Sequence, residues 1–329
     1  MRELLRGTTL AFILALVFVF TPAEPTWAQE GAGGDKKPPS RLKDKVGQES
    51  LILETDHFYI EAYESLGRTG LEAFGKKAEQ AYSLACEVLD QPADKRLWAD
   101  KCVVLMIRTV AHWHKYVDDT EPDEGRARVM KDASGTRTNE PGCVECLEKF
   151  GGSQKSLEQG ALHQIGHHLL DCWSGKGAHP LPVWLDEGFA SFIEFSVCGE
   201  VGSSCVGGST DADLKQADGE WTDNWPAKLR EAVSRGLGED DADTFSWKSI
   251  RRCTSYNSML RSQHAKSWSL VTFLVGRDKK QFQSFVKALK AAEKVKPETI
   301  QADAIDAAYE SSFAELEGDW RKLIRQPPK

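Results

Sequence analysis

The stretch ALHQIGHHLLDCW, residues 161–173, sets two histidines, His163 and His167, four positions apart. On a helix that spacing is one turn, so both imidazoles leave the same face. Apolar residues recur through the same segment at intervals of three and four, at Leu162, Ile165, Leu169 and Trp173. That is the buried stripe of an amphipathic helix. The histidines lie at its edge, placed to reach one ion. Two helix histidines alone are a weak signal, and a second stretch adds the weight. HPLPVWLDEGFASFIEF, residues 179–195, brings Glu187 twenty positions after His167. Pro182 suits the first turn of a helix, and Gly188 lets another helix come close beside the carboxylate. Two neutral imidazoles and one carboxylate leave the fourth position of a tetrahedral zinc open to water. That pattern belongs to catalytic rather than structural zinc.

Outward from this core, the chain has 329 residues, 40% of them hydrophobic and 28% charged, enough for a sizeable core in a soluble protein. The formal net charge is −8. With no dense basic patch, nucleic acid is not expected as a partner. Arg2 and Arg6 precede the apolar run TLAFILALVFVF at 9–20, which is short for a membrane span, and a small-residue cleavage site follows after Ala28. Residues 1–28 therefore read as a signal peptide, with an uncleaved anchor as the alternative. The mature protein is expected to be exported, periplasmic or secreted, with no transmembrane helix. Export fits the eight cysteines, an even count that suggests disulfides of underivable connectivity. Cys198 with Cys205, and Cys143 with Cys146, would close short loops. A redox or zinc-knuckle reading of CVEC (143–146) is the sharper alternative.

Residues 29–48 are rich in Gly, Pro and Lys and read as a flexible linker. Residues 49–325 read as one domain. The pattern predicts strands at 50–63 and 101–109, helices at 70–89 and 110–118, and one further strand at ARVMKD (127–132) within a polar, Gly-rich stretch. Helices are predicted near 156–173, 182–198, 225–236, 260–275, 279–293 and 299–325, the last one broken. Residues 200–224 read as a loop.

The pairing of HQIGH (163–167) with PVWLDEGFASF (182–192) resembles the gluzincin metallopeptidases, which include thermolysin and the aminopeptidase N group. It is most similar to the peptidase MA-like domains of exported bacterial proteins. The segment around His57 and Phe58, HAKSWSLVTFLV (264–275) and SSFAELEGDWRKLI (311–324) also have counterparts there. The resemblance implies an α+β, thermolysin-like domain with a strand-containing N-terminal lobe and a helical C-terminal lobe. It implies one zinc ion per chain on His163, His167 and Glu187. His264 falls where many relatives carry a tyrosine that helps hold the oxyanion. Its other reading is a helix-surface histidine. Glu194, seven positions after Glu187, either orients a ligand histidine or is a solvated glutamate.

Gln164 occupies the general-base position, where the family pattern has glutamate. A neutral amide cannot accept the proton of a metal-bound water. Asp186 and His168 are expected to face away from the ligand edge, and Glu158 lies well off it, so none is an attractive substitute. The expectation is a pseudopeptidase that keeps the metal site and binds a peptide or protein partner without efficient hydrolysis. The rivals are an active peptidase with an unorthodox base and a metal-free interaction protein.

Overall fold

The computed structural model describes residues 40–326 apart from 93–94, 99, 139–140, 176–179, 203–220, 222–223, 241–242, 257–258 and 293–296. The proposed signal peptide, residues 29–39 and Cys205 therefore lie outside the described residues. Residues 50–63 form two strands rather than one. β1 (Ser50–Glu54) and β2 (Phe58–Tyr63) pair antiparallel, Ser50 opposite Tyr63 and Glu54 opposite Tyr59. The chain reverses at Thr55–His57, where the Thr55 hydroxyl accepts the Phe58 N–H at 3.1 Å. Threonine and aspartate form such local side-chain bonds readily, which is why a run with strand alternation turns there. α2 (Gly67–Leu89) then leads to β3 (Cys102–Ile107), which is buried throughout and parallel to β2.

α3 (Val110–Thr120) is followed by α4 (Glu124–Asp132), where ARVMKD was expected to be a strand. Asp123 decides otherwise: its carboxylate accepts the Arg126 N–H at 2.7 Å and caps a helix. The CVEC segment is itself a strand. β4 (Gly135–Arg137) and β5 (Gly142–Cys146) pair antiparallel, and β5 lies parallel to β3. The five-stranded mixed sheet has the order β1-β2-β3-β5-β4. Side chains alternate between its faces. Phe58, Ile60, Val104, Met106 and Cys143 pack beneath α2 and α5 (Gln154–Ser174). Tyr59, Val103, Leu105, Val144 and Cys146 pack beneath α3, α4 and α1 (Arg41–Val46).

Two expectations change here. Residues 40–48 are not linker: Leu42 and Val46, four apart on α1, insert into the second core. The fully buried Glu61 takes the Arg41 and Leu42 N–H groups at 2.8 and 3.1 Å and fastens the start of α1 to the sheet. Cys143 and Cys146, three apart on a strand, sit in opposite cores and cannot bond to one another. Among the described residues no two cysteines are bonded, and Cys205, the expected partner of Cys198, lies outside them. Burial pushes the Cys143 and Cys146 thiols up, against the lowered values that redox cysteines need.

The rest is helical. α6 (Val183–Cys198), α7 (Trp225–Ser234), α8 (Trp247–Arg251), α9 (Arg261–Arg277), α10 (Lys279–Ala291), α11 (Pro297–Tyr309) and α12 (Phe313–Ile324) follow and share the core beneath α2 and α5. The pattern missed only the short α8 among them. α6 lies between α5 and α9. Gly166 makes the first contact possible, since a Cβ there would sit 2.7 Å from the Ala190 Cα. Gly188 makes the second, since its Cβ would sit 2.6 Å from the Ser267 carbonyl oxygen. Trp184 and Trp268 are core residues. The architecture is α+β. Among the described residues, no helix is long and apolar enough to cross a membrane.

Candidate metal centre

His163 and His167 extend from α5 and Glu187 from α6, and all three are buried. The two Nε2 atoms stand 3.2 Å apart. Glu187 offers one oxygen to each: Oε2 is 3.3 Å from His163 Nε2, and Oε1 is 3.5 Å from His167 Nε2. A tetrahedral zinc with bonds of about 2.0–2.1 Å separates its ligand atoms by about 3.3–3.4 Å. The three donors thus already stand at ligand-to-ligand spacing. Both Glu187 oxygens are buried without a hydrogen-bond partner, and a cation between the three groups would satisfy them. The three groups could hold a metal ion.

Carboxylates stand behind both histidines. Asp186 Oδ1 lies 2.8 Å from His167 Nδ1, and Glu194 Oε2 lies 3.3 Å from His163 Nδ1. A carboxylate beside each Nδ1 favours a proton there, which would leave the Nε2 lone pairs for a metal ion. Glu194 is not a solvated glutamate: it is fully buried beside His163, and its other oxygen accepts the Gly202 N–H at 2.7 Å. Asp186 does not face away from the ligands, as helix position suggested. It is the contact that holds His167, and it is in turn held by Tyr256, whose hydroxyl donates to Oδ2 at 2.7 Å. Arg137 of β4 lies 3.6 Å from the same oxygen, with its guanidinium over the Tyr256 ring.

His264 reaches the centre from α9 and is fully buried, not a surface residue. Its Nδ1 is 3.0 Å from Glu187 Oε2, yet neither ring nitrogen makes a hydrogen bond. Burial opposes the charge on Glu187, but His264, His163 and His167 outweigh it and hold the carboxyl well below the ordinary range. For Asp186, burial is likewise outweighed by His167, Arg137 and Tyr256.

Gln164 is half-buried on α5, one position from the first ligand. The alternative bases are committed elsewhere. His168 Nε2 lies 2.6 Å from the Gly142 carbonyl oxygen. Glu158 pairs with Lys77 at 2.5 Å. Asp186 stands behind His167.

Sequence reasoning missed Asp186, Tyr256 and Arg137 as parts of this centre. Asp186 left one trace, its place directly before Glu187. Tyr256 and Arg137 left none, because they arrive from distant segments. Comparison with known family models and with characterised proteins finds no match.

Proposed function

We propose that this chain is an exported, gluzincin-like protein that binds one zinc ion through His163, His167 and Glu187 and engages a peptide or protein partner without efficient hydrolysis. The observation that supports it best is the set of three buried donors at ligand-to-ligand distances, each histidine backed by a carboxylate. Zinc bound there would acidify its water and polarise a carbonyl. The chain's residues divide the remaining work. Asp186 and Glu194 orient the histidines. His264 has an unbonded ring nitrogen with which to donate to a ligand oxygen. Gln164 can donate or accept a hydrogen bond but cannot take a proton. Positioning is present and general-base catalysis is absent.

The test is zinc stoichiometry of the purified protein followed by a paired cleavage assay. About one zinc per chain is expected, abolished by His163→Ala or Glu187→Ala and largely retained in Gln164→Ala. Gln164→Glu restores a titratable acceptor and is expected to raise peptide hydrolysis by up to the roughly 10²–10⁴ that a general base supplies. Wild type cleaving as fast as Gln164→Glu would establish the rival reading, an active peptidase with another base. Protein unable to take up added zinc would leave the metal-free reading.

A further inference from the structure

A cavity of about 430 Å³ lies away from the metal centre, lined by Gly47, Gln48, Tyr63, Glu64, Arg108 and His112 among others. Its position follows from the topology. β2 and β3 are parallel neighbours. At its carboxyl end, β2 passes to α2 on one face of the sheet, while β3 passes to α3 on the other. Adjacent parallel strands whose connections part in this way open a crevice outside their carboxyl ends, where ligands of open α/β sheets bind. The metal centre is at the opposite end of the sheet, beside Gly142 at the start of β5.

The lining offers one cation to a ligand. Arg108 follows directly on β3; its side chain is exposed and pairs with no carboxylate among the described residues. His112 lines the same wall, with its Nδ1 buried away from the crevice. Gln48 fixes the floor: its Nε2 donates to the Met106 carbonyl at 3.1 Å, and its Oε1 accepts the Arg108 N–H at 2.8 Å. The amides opening α3 are already used, Val110 N–H by Glu148 and His112 N–H by Thr109. Recognition therefore falls first to the Arg108 guanidinium. Of the two lining carboxylates, Glu49 pairs at the surface with Lys43 at 2.8 Å, and Glu64 makes no ion pair among the described residues.

We propose that this crevice is a second ligand site, which takes a small molecule by a carboxylate or phosphate group held on Arg108 with His112 beside it. The volume suits a compact metabolite rather than a macromolecule. Inorganic phosphate and succinate are the two probes, titrated separately at constant ionic strength and followed by backbone amide shifts. Saturable shifts confined to residues 47–49, 63–65 and 108–112 are expected for at least one probe, and which one responds identifies the anion. Arg108→Ala is expected to weaken that binding by about tenfold or more, the value of a charge-assisted hydrogen bond, with Arg108→Lys in between. Glu64→Gln is expected to tighten it by removing a repelling charge. Zinc binding should be the same in all three variants. Arg108 is exposed and its backbone bonds remain in Arg108→Ala, so the fold is retained. No saturable response to either probe through the millimolar range overturns the proposal, as does a response that Arg108→Ala leaves unchanged.

Discussion

One position separates His167 from His168, and about 100° of helix rotation sends them to different work. His167 turns to the ligand cluster. His168 turns to the sheet and donates to the Gly142 carbonyl, and burial holds its pKa down to about 4. The unfolded chain takes up a proton near pH 6.5, which folded His168 refuses until about pH 4. Stability from this group is therefore complete above pH 6.5 and is lost as pH falls toward 4. A difference of that size is worth on the order of 3 kcal/mol. In chelated protein, His168→Gln should give a flatter stability profile between pH 6.5 and 4 than wild type. Parallel profiles in urea titrations would show that His168 is not the responsible group. The carboxylates behind the ligands are tested separately. Asp186→Asn and Glu194→Gln should each lower zinc affinity by about 10–100-fold, with the fold unchanged by circular dichroism. Local spacing pointed to His163, His167 and Glu187, and the fold brings these three together. Tyr256 and Arg137 could not be read, because only the folded chain brings them to Asp186.

At the scale of elements, helices were legible and strands less so. A long helix repeats its signal over several turns; α2 does so on one face, whereas α5, α6 and α9 are buried round most of their surface. A three-residue strand such as β4 has no period to detect, and β5 is buried on both faces and shows no alternation. Gly188 was legible as a point of close approach, and the Ser267 carbonyl is what it approaches. Because backbone opposes it there, Gly188→Ala must separate α6 from α9. It should cost about 1–3 kcal/mol, as overpacking does. It should also weaken zinc binding, since Glu187 and His264 lie on the two helices being parted. Gly318, with open space around it, supplies the control: Gly318→Ala should be neutral or slightly stabilising. Equal denaturation midpoints for Gly188→Ala and wild type would mean that the helix contact is softer than described.

For the whole molecule, the link between the C-terminal helix and the ligand-bearing helices is electrostatic as well as apolar. Lys266 of α9 is fully buried two positions from His264. Its Nζ reaches the Phe245 carbonyl at 2.7 Å and Glu317 of α12 at 2.5 Å, between the rings of Phe245 and Trp320. Burial holds its pKa down to about 8, against 10.5 for an exposed lysine, although Glu317 supports the charge. The unfolded chain thus binds more protons between those values, and this group adds stability as pH rises from about 8 toward 10.5. Breaking only one side of such a pair strands the other. Glu317→Ala should destabilise toward the low end of the roughly 3–5 kcal/mol expected for a broken buried pair, because Lys266 can shed its proton. Lys266→Met with Glu317→Leu removes both charges; it loses the donor to the Phe245 carbonyl, about 1 kcal/mol, and shares with Glu317→Ala the loss of the Arg321 contact to Glu317 at 3.4 Å. The double variant should therefore unfold at a higher urea concentration than Glu317→Ala, and should lose the wild-type rise in stability above pH 8. If the double variant is the less stable of the two, the lysine is held by its aromatic and carbonyl contacts rather than by Glu317, and the ion pair does not join α12 to the helices of the metal centre.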